Sequence, residues 1–336
     1  MVDALELVRD VLAPGDGRRT DYLAVGPPGR PTFLLPRERR VAAAACRAYN
    51  SLRPAPVRRR RAAVSAVVGA GLGPAMGGPV VMEGPPVLHD AAPLLDELAE
   101  VLGVDDLHAA VGLGEVDEWW TPVLQLFDGG GRPVGFAKVG LTPLTAAMVH
   151  NEGRVLESLR RRPPAGLTVP RLVARGGWGG AEVVLTAPLP ADVRSVERSL
   201  PPRCPLADHG TTSRVVGGRW WDSLSARLAV GTGSPHDARV AEVVADVADR
   251  LGPTEVPTGW FHGDWVPWNL AVTRGQELVA WDWEYAASGV PLGLDDLHGA
   301  FGVARQHGTD VAGALSVAVV HGREVLADRD RLDVLS

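Results

Sequence analysis

Between Trp260 and Glu284 the chain reads W-FHGDWVPWNL-AVTRGQEL-VAWDWE, a stretch that few folds accommodate. Leu270 to Thr273 and Leu278 to Trp281 are short apolar runs with strand propensity, and Arg274-Gly275-Gln276-Glu277 between them is a turn signal. A hairpin folded about Gly275 and Gln276 sets Asn269 and Asp282 opposite one another at its open end. An amide oxygen beside a carboxylate suits Mg²⁺, a hard cation that takes oxygen ligands and shares them with substrate phosphates. Asp264 stands five residues before Asn269 across a loop, where a carboxylate facing the same opening accepts a proton from an incoming hydroxyl. Singly, Asp and Asn are ordinary turn formers. Their order and intervals around one hairpin are what point to chemistry. Trp265 and Trp268 read as packing first and as acceptor lining second.

The pattern HGD-x4-N, then a hydrophobic strand, then D-W-E, resembles the catalytic loop and metal-binding segment of the aminoglycoside phosphotransferase and choline kinase group, relatives of the eukaryotic protein kinases. The resemblance covers roughly residues 106 to 325. It implies an α+β, two-lobed protein-kinase-like fold, with a small antiparallel-sheet lobe and a mainly helical lobe. Within it Asp264 is the catalytic base, His262 orients the loop, Asn269 and Asp282 hold Mg²⁺, and phosphate moves from ATP to a hydroxyl. A protein kinase fits less well, because no activation segment with A-P-E follows Asp282.

Upstream, His108 to Leu113, Thr121 to Phe127 and Val134 to Val139 alternate with turn clusters, as antiparallel hairpins do. The last of them carries Lys138, the one lysine of a chain with 33 arginines. A compact ammonium on a flexible stem sits between two phosphates where a forked guanidinium fits poorly. Thr142-Pro143 then opens a helix with a cap residue and a first-turn proline. Leu144, Met148, Glu152 and Leu156 recur every four residues, which puts Glu152 on the apolar face, where a carboxylate needs a partner. Glu157 falls off that face and can pair with Arg160 or Arg161. The resemblance makes Glu152 the partner of Lys138. It also makes Leu185 to Pro190, after strands at Leu167 to Val173 and Glu182 to Thr186 joined by a turn at Gly176 to Gly180, a lobe connector. There the backbone of Thr186 and Ala187 would bond adenine.

The phosphate loop departs from the family's pattern. Gly112-Leu113-Gly114 is followed by Glu115, Asp117, Glu118 and two tryptophans, and three acids repel a triphosphate unless they turn away or meet a cation. That departure motivates a rival reading, a nucleotide-binding regulatory protein without phosphotransfer. A metal hydrolase is a third, with no second His at ligand spacing from His262.

These readings divide the chain into residues 1–105, a mixed α/β segment, then 106–187, the small lobe, and 188–336, the helical lobe. In the first part Tyr22 to Val25, Thr32 to Leu35 and Val80 to Met82 read as strands, and Glu38 to Leu52 and Pro93 to Leu102 as helices. Val68 to Gly73 mimics a dinucleotide loop, but Pro74 takes the place of the last glycine and a turn is the better reading. Residues 191 to 258 read mostly as helices. Val240, Val243, Val244, Val247 and Leu251 form an apolar stripe expected in the core, and Asp295 or Asp296 a helix cap.

Formal charge is −6, yet residues 1 to 61 hold thirteen arginines against six acids. Those arginines lack interleaved aromatics, so nucleic acid is not an expected partner. The acidic remainder accords with a cationic acceptor. Ala62 to Met82 carries no charge, but five glycines and two prolines make it a helix-turn-strand rather than a membrane span. Two cysteines without metal-ligand spacing, and acids where a secretory leader needs a basic start, lead to a cytoplasmic expectation.

Overall fold

The computed structural model describes residues 4–13, 19–27, 31–73, 79–83, 92–113, 117–196, 203–206, 211–230 and 236–333. Pro74, Gly114 and Glu115, which bear on the two loop readings above, lie outside them. The chain divides into two compact units: Met1–Arg162 with Val169–Ser195 and Val272–Val279, and Pro163–Thr168 with Val196–Ala271 and Ala280–Ser336.

The first unit runs α1 (Ala4–Leu12), β1 (Arg19–Val25), β2 (Phe33–Pro36), α2 (Arg39–Arg47), α3 (Ala55–Gly69), β3 (Pro79–Glu83), α4 (Leu94–Leu102), β4 (Leu107–Gly112), β5 (Val123–Asp128), β6 (Pro133–Gly140) and α5 (Pro143–Arg161). After β7 (Leu167–Thr168), which belongs to the second unit, come β8 (Leu172–Trp178), β9 (Ala181–Thr186) and β10 (Arg194–Ser195). Eight strands make one antiparallel sheet in the order β3-β1-β2-β4-β5-β6-β9-β8. Residues expected to form two separate parts, 1–105 and 106–187, thus share one sheet, joined where Phe33 pairs with Gly112 and Leu34 with Val111.

Period-two alternation explains how helices cover both faces of this sheet. Tyr22, Leu34, Met82 and Leu126 pack with Val8 and Val11 of α1 and Leu94 and Leu98 of α4. Their neighbours Leu23, Leu35 and Phe127 point the other way, onto Val41 and Ala45 of α2 and Val64 and Val68 of α3. Cores of this kind are held by area removed from water, at about 25 cal/mol per Å².

Several elements differ from the sequence reading. Glu38 caps α2 by accepting the Arg40 amide, but the helix ends at Arg47 because Tyr49 turns left-handed (φ 52°) into a short 3-10 turn at Asn50–Leu52. The strand expected from Leu167 to Val173 is two pieces, since Pro170 cannot donate to a ladder. The glycine-rich turn shrinks to Gly179 and Gly180 (φ 51° and 86°), because Gly176 and Gly177 still pair with Val183 and Glu182. No helix among the described residues is long and apolar enough to cross a membrane.

The second unit contains β11 (Thr212–Arg214), α6 (Arg219–Val230), α7 (Asp237–Leu251), β12 (Glu255–Phe261), β15 (Ala287–Pro291), α8 (Leu294–Gln306) and α9 (Val311–Asp333), and the hairpin of β13 (Leu270–Val272) and β14 (Leu278–Ala280) enters and leaves it. β11, β12 and β15 form an antiparallel sheet, and β11 with the start of β12 falls inside the stretch to residue 258 that was expected to be mostly helical. β11 is three residues long and β12 carries Pro257 and Gly259, so neither shows a strand-like run. The α7 stripe is a clear correction. Nothing in α7 is buried, and Val240, Val243 and Leu251 are 43%, 52% and 49% exposed. Periodicity reports that a face is apolar, not that something covers it.

Candidate active site

In the first unit, the site residues sit on β6 and α5. Lys138 pairs in register with Val123 and Val184, held mid-sheet on the face that α5 covers. Helix α5 starts with a capping box: the Thr142 hydroxyl accepts the Thr145 amide, the Thr145 hydroxyl accepts the Thr142 amide, and Pro143 takes the first turn. That anchored start sets the helix phase. Met148, Glu152 and Leu156 turn inward as expected, while Leu144, one turn earlier, is exposed. Gly140 and Gly153 permit close packing: a Cβ at Gly140 would lie 2.5 Å from the Ala146 Cα, and one at Gly153 would lie 2.9 Å from Val184.

Lys138 Nζ and Glu152 Oε2 form a 2.7 Å ion pair, their side chains 11% and 7% exposed. Neither charge tolerates that burial alone. Glu157, off the apolar face, bonds Arg161 (2.8 Å) as expected and also Arg175 (2.9 Å). The Arg175 bond comes first, and Arg161 adds to it, in holding the Glu157 carboxyl below its usual range.

At the connector, Thr186 ends β9 opposite Phe136, and the Ala187 amide donates to the Arg171 carbonyl (2.9 Å). That amide is already engaged, and Pro188 and Pro190 have none to offer. Ala187, Pro188 and Pro190 therefore offer no open backbone amide for the adenine contact expected of this segment. Tyr49 donates its hydroxyl to the Leu189 carbonyl (3.1 Å) and sets its ring 5.4 Å from Phe136, so the amino-terminal residues brace this connector. In the loop expected to face phosphate, the Asp117 carboxylate accepts the Trp119 amide (3.0 Å), turning one of the three acids back onto its own turn.

In the second unit, β12 delivers the chain into the loop at His262. Gly263 has φ +88°, and a Cβ there would lie 2.5 Å from the Tyr285 Cβ, so the loop needs glycine at this point. His262 is fully buried, with its ring 4.4 Å from that of Trp283 and 5.6 Å from that of Trp265. Its Nδ1 accepts the Asp264 amide (3.2 Å) and its Nε2 lies 3.1 Å from the Trp281 carbonyl. Both contacts are satisfied by a single neutral tautomer, protonated at Nε2. His262 thereby ties the loop to the strand leading to Asp282.

Asn269 closes a 3-10 turn, and its Nδ2 donates to the Asp264 carbonyl (3.1 Å) and to Asp264 Oδ2 (2.7 Å). Because the amide nitrogen is held this way, the amide oxygen is directed elsewhere. The Trp281 amide donates to the Asn269 carbonyl (3.2 Å), so Asp282 follows directly on the residue paired with Asn269 at the hairpin's open end. Asp282 itself is left-handed (φ 73°), a conformation Asp tolerates better than most residues. An amide oxygen and a carboxylate, both hard donors on one framework, form a set that fits Mg²⁺.

Two residues beyond the sequence reading complete this geometry. The N-cap of α8 is Gly293, with no side-chain cap bond, so neither Asp295 nor Asp296 caps the helix as expected. Both are buried in its first turn. Asp295 accepts the amides of His262 (2.8 Å) and Gly263 (3.0 Å), and the Cys204 thiol lies 3.4 Å from it. Asp296 accepts the Cys204 amide (3.2 Å). Burial pushes the Asp295 carboxyl up to about 6, against the opposing pull of the two loop amides. His298, one turn further, places Nε2 3.0 Å from Asp264 Oδ1. The three-residue interval from Asp295 to His298 puts both on one helix face, a signal that could have found them.

Residues 194–292 match the phosphotransferase enzyme family. That span holds the loop, its glycine and the whole hairpin, so the likeness first read from HGD-x4-N is met again over the segment that builds the site. Among solved structures, the chain is similar to an aminoglycoside-3'-phosphotransferase of type VIII (17% identity, 68% of this chain and 92% of that one, TM-score 0.43). It is also similar to choline kinase from Streptococcus pneumoniae (15%, 68% and 79%, TM-score 0.41) and to a macrolide 2'-phosphotransferase from Brachybacterium faecium (19%, 69% and 82%, TM-score 0.38). No curated protein matches the chain.

Proposed function

We propose that the protein is an ATP- and Mg²⁺-dependent phosphotransferase that moves the γ-phosphate of ATP to a hydroxyl of a small molecule, an aminoglycoside-like antibiotic or an amino or sugar metabolite. The observation that carries the reading is the fixed Asp264 carboxylate. Its loop is tied down at His262 and Gly263 by Asp295, and Asn269 holds one of its oxygens. A carboxylate so placed accepts the acceptor's hydroxyl proton as the oxygen attacks phosphorus. His262 keeps the loop in the conformation that presents it.

Asn269 and Asp282 would hold Mg²⁺, which when bound neutralises charge on the transferring phosphate. Lys138 orients phosphate and Glu152 fixes the lysine's position. Thr186 and the Ala187 carbonyl remain the proposed contacts for adenine. The acidic balance of the chain favours a cationic acceptor. Cys46 and Cys204, both buried and in no disulfide, accord with a reducing compartment, and we place the activity in the cytoplasm.

The test is an acceptor screen read out by ADP release, run with Mg²⁺ and with a chelator. Turnover that requires both Mg²⁺ and one class of acceptor supports the reading. Nucleotide binding without turnover across a broad panel favours the regulatory alternative.

A further inference from the structure

The Asp264 carboxylate has a second oxygen, and a side chain outside the loop reaches it. His298 lies on α8, with Nε2 3.0 Å from Oδ1 and a side chain 42% exposed. We propose that His298 is a positioning residue for the base: its Nε2–H holds Oδ1 while the Asn269 amide holds Oδ2, so the carboxylate cannot rotate away from the acceptor hydroxyl.

Three features support a built arrangement rather than a chance surface contact. First, both oxygens of one carboxylate receive a donor from a different element, Asn269 from the loop and His298 from α8. Such a two-point hold fixes the plane of the group and leaves one lone pair on each oxygen for substrate. Second, α8 is placed against the loop by more than this bond. Asp295 takes two loop amides one turn before His298, and Gly302 faces the loop one turn after it. A Cβ at Gly302 would lie 3.1 Å from Val266 Cγ1 and 3.7 Å from the Trp268 ring, so the helix runs flush along residues 263 to 268. Third, among the described residues the charged groups whose fields reach His298 are Asp264 across the gap and Asp295 on its own helix, and both are acids. They raise the affinity of the imidazole for protons, with the Asp264 hydrogen bond the largest cause and burial opposing it. The pairing therefore persists in both protonation states, neutral Nε2–H or imidazolium, and the imidazolium draws the carboxylate's charge to itself and lowers its basicity.

The inference rests on the phosphotransfer reading for its kinetic consequence but not for its geometry, and two measurements keep them apart. The first follows histidine ring signals of ¹⁵N-labelled full-length protein against pH, with His298→Gln identifying the resonance. The wild-type ring should titrate above the ordinary histidine value and fall back in Asp264→Asn. A ring that titrates identically in both proteins overturns the proposal. The second compares kcat and KM for wild type, His298→Ala and His298→Gln in the ADP-release assay. His298→Ala should lose about tenfold in kcat with KM for ATP unchanged, the weight of one hydrogen bond to a charged group. His298→Gln, which keeps an N–H donor, should recover much of it, and the acid side of the wild-type pH profile should flatten in both variants. Equal kcat in wild type and His298→Ala overturns the positioning role. If wild type releases no ADP with any acceptor, the phosphotransfer reading fails, and the titration alone decides whether His298 holds Asp264.

Discussion

Two buried carboxylates, Glu152 in the first unit and Asp295 in the second, are 5% and 4% exposed, and each sits on the inner face of a helix. Their environments differ in kind. Glu152 meets a single ammonium at 2.7 Å, charge against charge. Asp295 meets two backbone amides and a thiol, and burial outweighs them enough to lift its carboxyl to about 6. The first acid fixes a buried lysine side chain, and the second holds a loop in shape. A side-chain pair can be inferred from residue types, whereas an acid that serves a backbone cannot, because every residue offers the same N–H.

The largest difference between the two should appear when each acid is removed. Glu152→Ala leaves a buried lysine uncompensated, and about 3 kcal/mol or more of unfolding free energy should be lost in urea titration. Lys138→Met together with Glu152→Leu should recover much of that stability without recovering activity. Recovery of both would mean the pair has no role beyond packing.

Asp295→Ala should cost less, about 2 kcal/mol, since the amides it leaves are neutral. Its effect should be local: hydrogen exchange at the His262 and Gly263 amides should accelerate while amides of the eight-stranded sheet stay protected. Uniform acceleration would show that Asp295 supports the fold at large.

A smaller effect separates the acids by pH. The Asp295 carboxyl titrates higher in the folded protein than unfolded, so its contribution to stability is complete below the unfolded value near 4 and is lost as pH rises through about 6. Asp295→Asn should remove that slope between about pH 4 and 6. A slope that survives in the asparagine variant assigns it to another group.

The smallest effect is expected outside both sites. Val243→Ser on α7 should change stability by no more than about 0.5 kcal/mol, as at other exposed positions. A loss of about 2 kcal/mol would restore the core role that its periodicity had first implied.

What the sequence made legible follows the same division. Lys138 stood out as one lysine in a chain with 33 arginines, and Glu152 because a four-residue period set its face. The loop's order, His262, Asp264, Asn269, Asp282, was legible because local spacing sets local geometry. Asp295 looked like a cap because its true partners are amides 32 and 33 residues earlier in the chain. Pro170 split a strand that apolar content alone made continuous, and the α7 stripe announced a face without naming its cover. The sharing of one sheet by residues 1–105 and 106–187 depends on the pairing of β2 with β4, a distant register that no local run of residues encodes.

The most direct test of the central claim is kcat for Mg²⁺-dependent transfer of labelled γ-phosphate to acceptor in wild type and Asp264→Ala, with ATP affinity measured in parallel. Loss of the proton acceptor should lower kcat by on the order of 10² to 10⁴-fold with ATP binding intact. Transfer at the wild-type rate from a folded Asp264→Ala protein would contradict it.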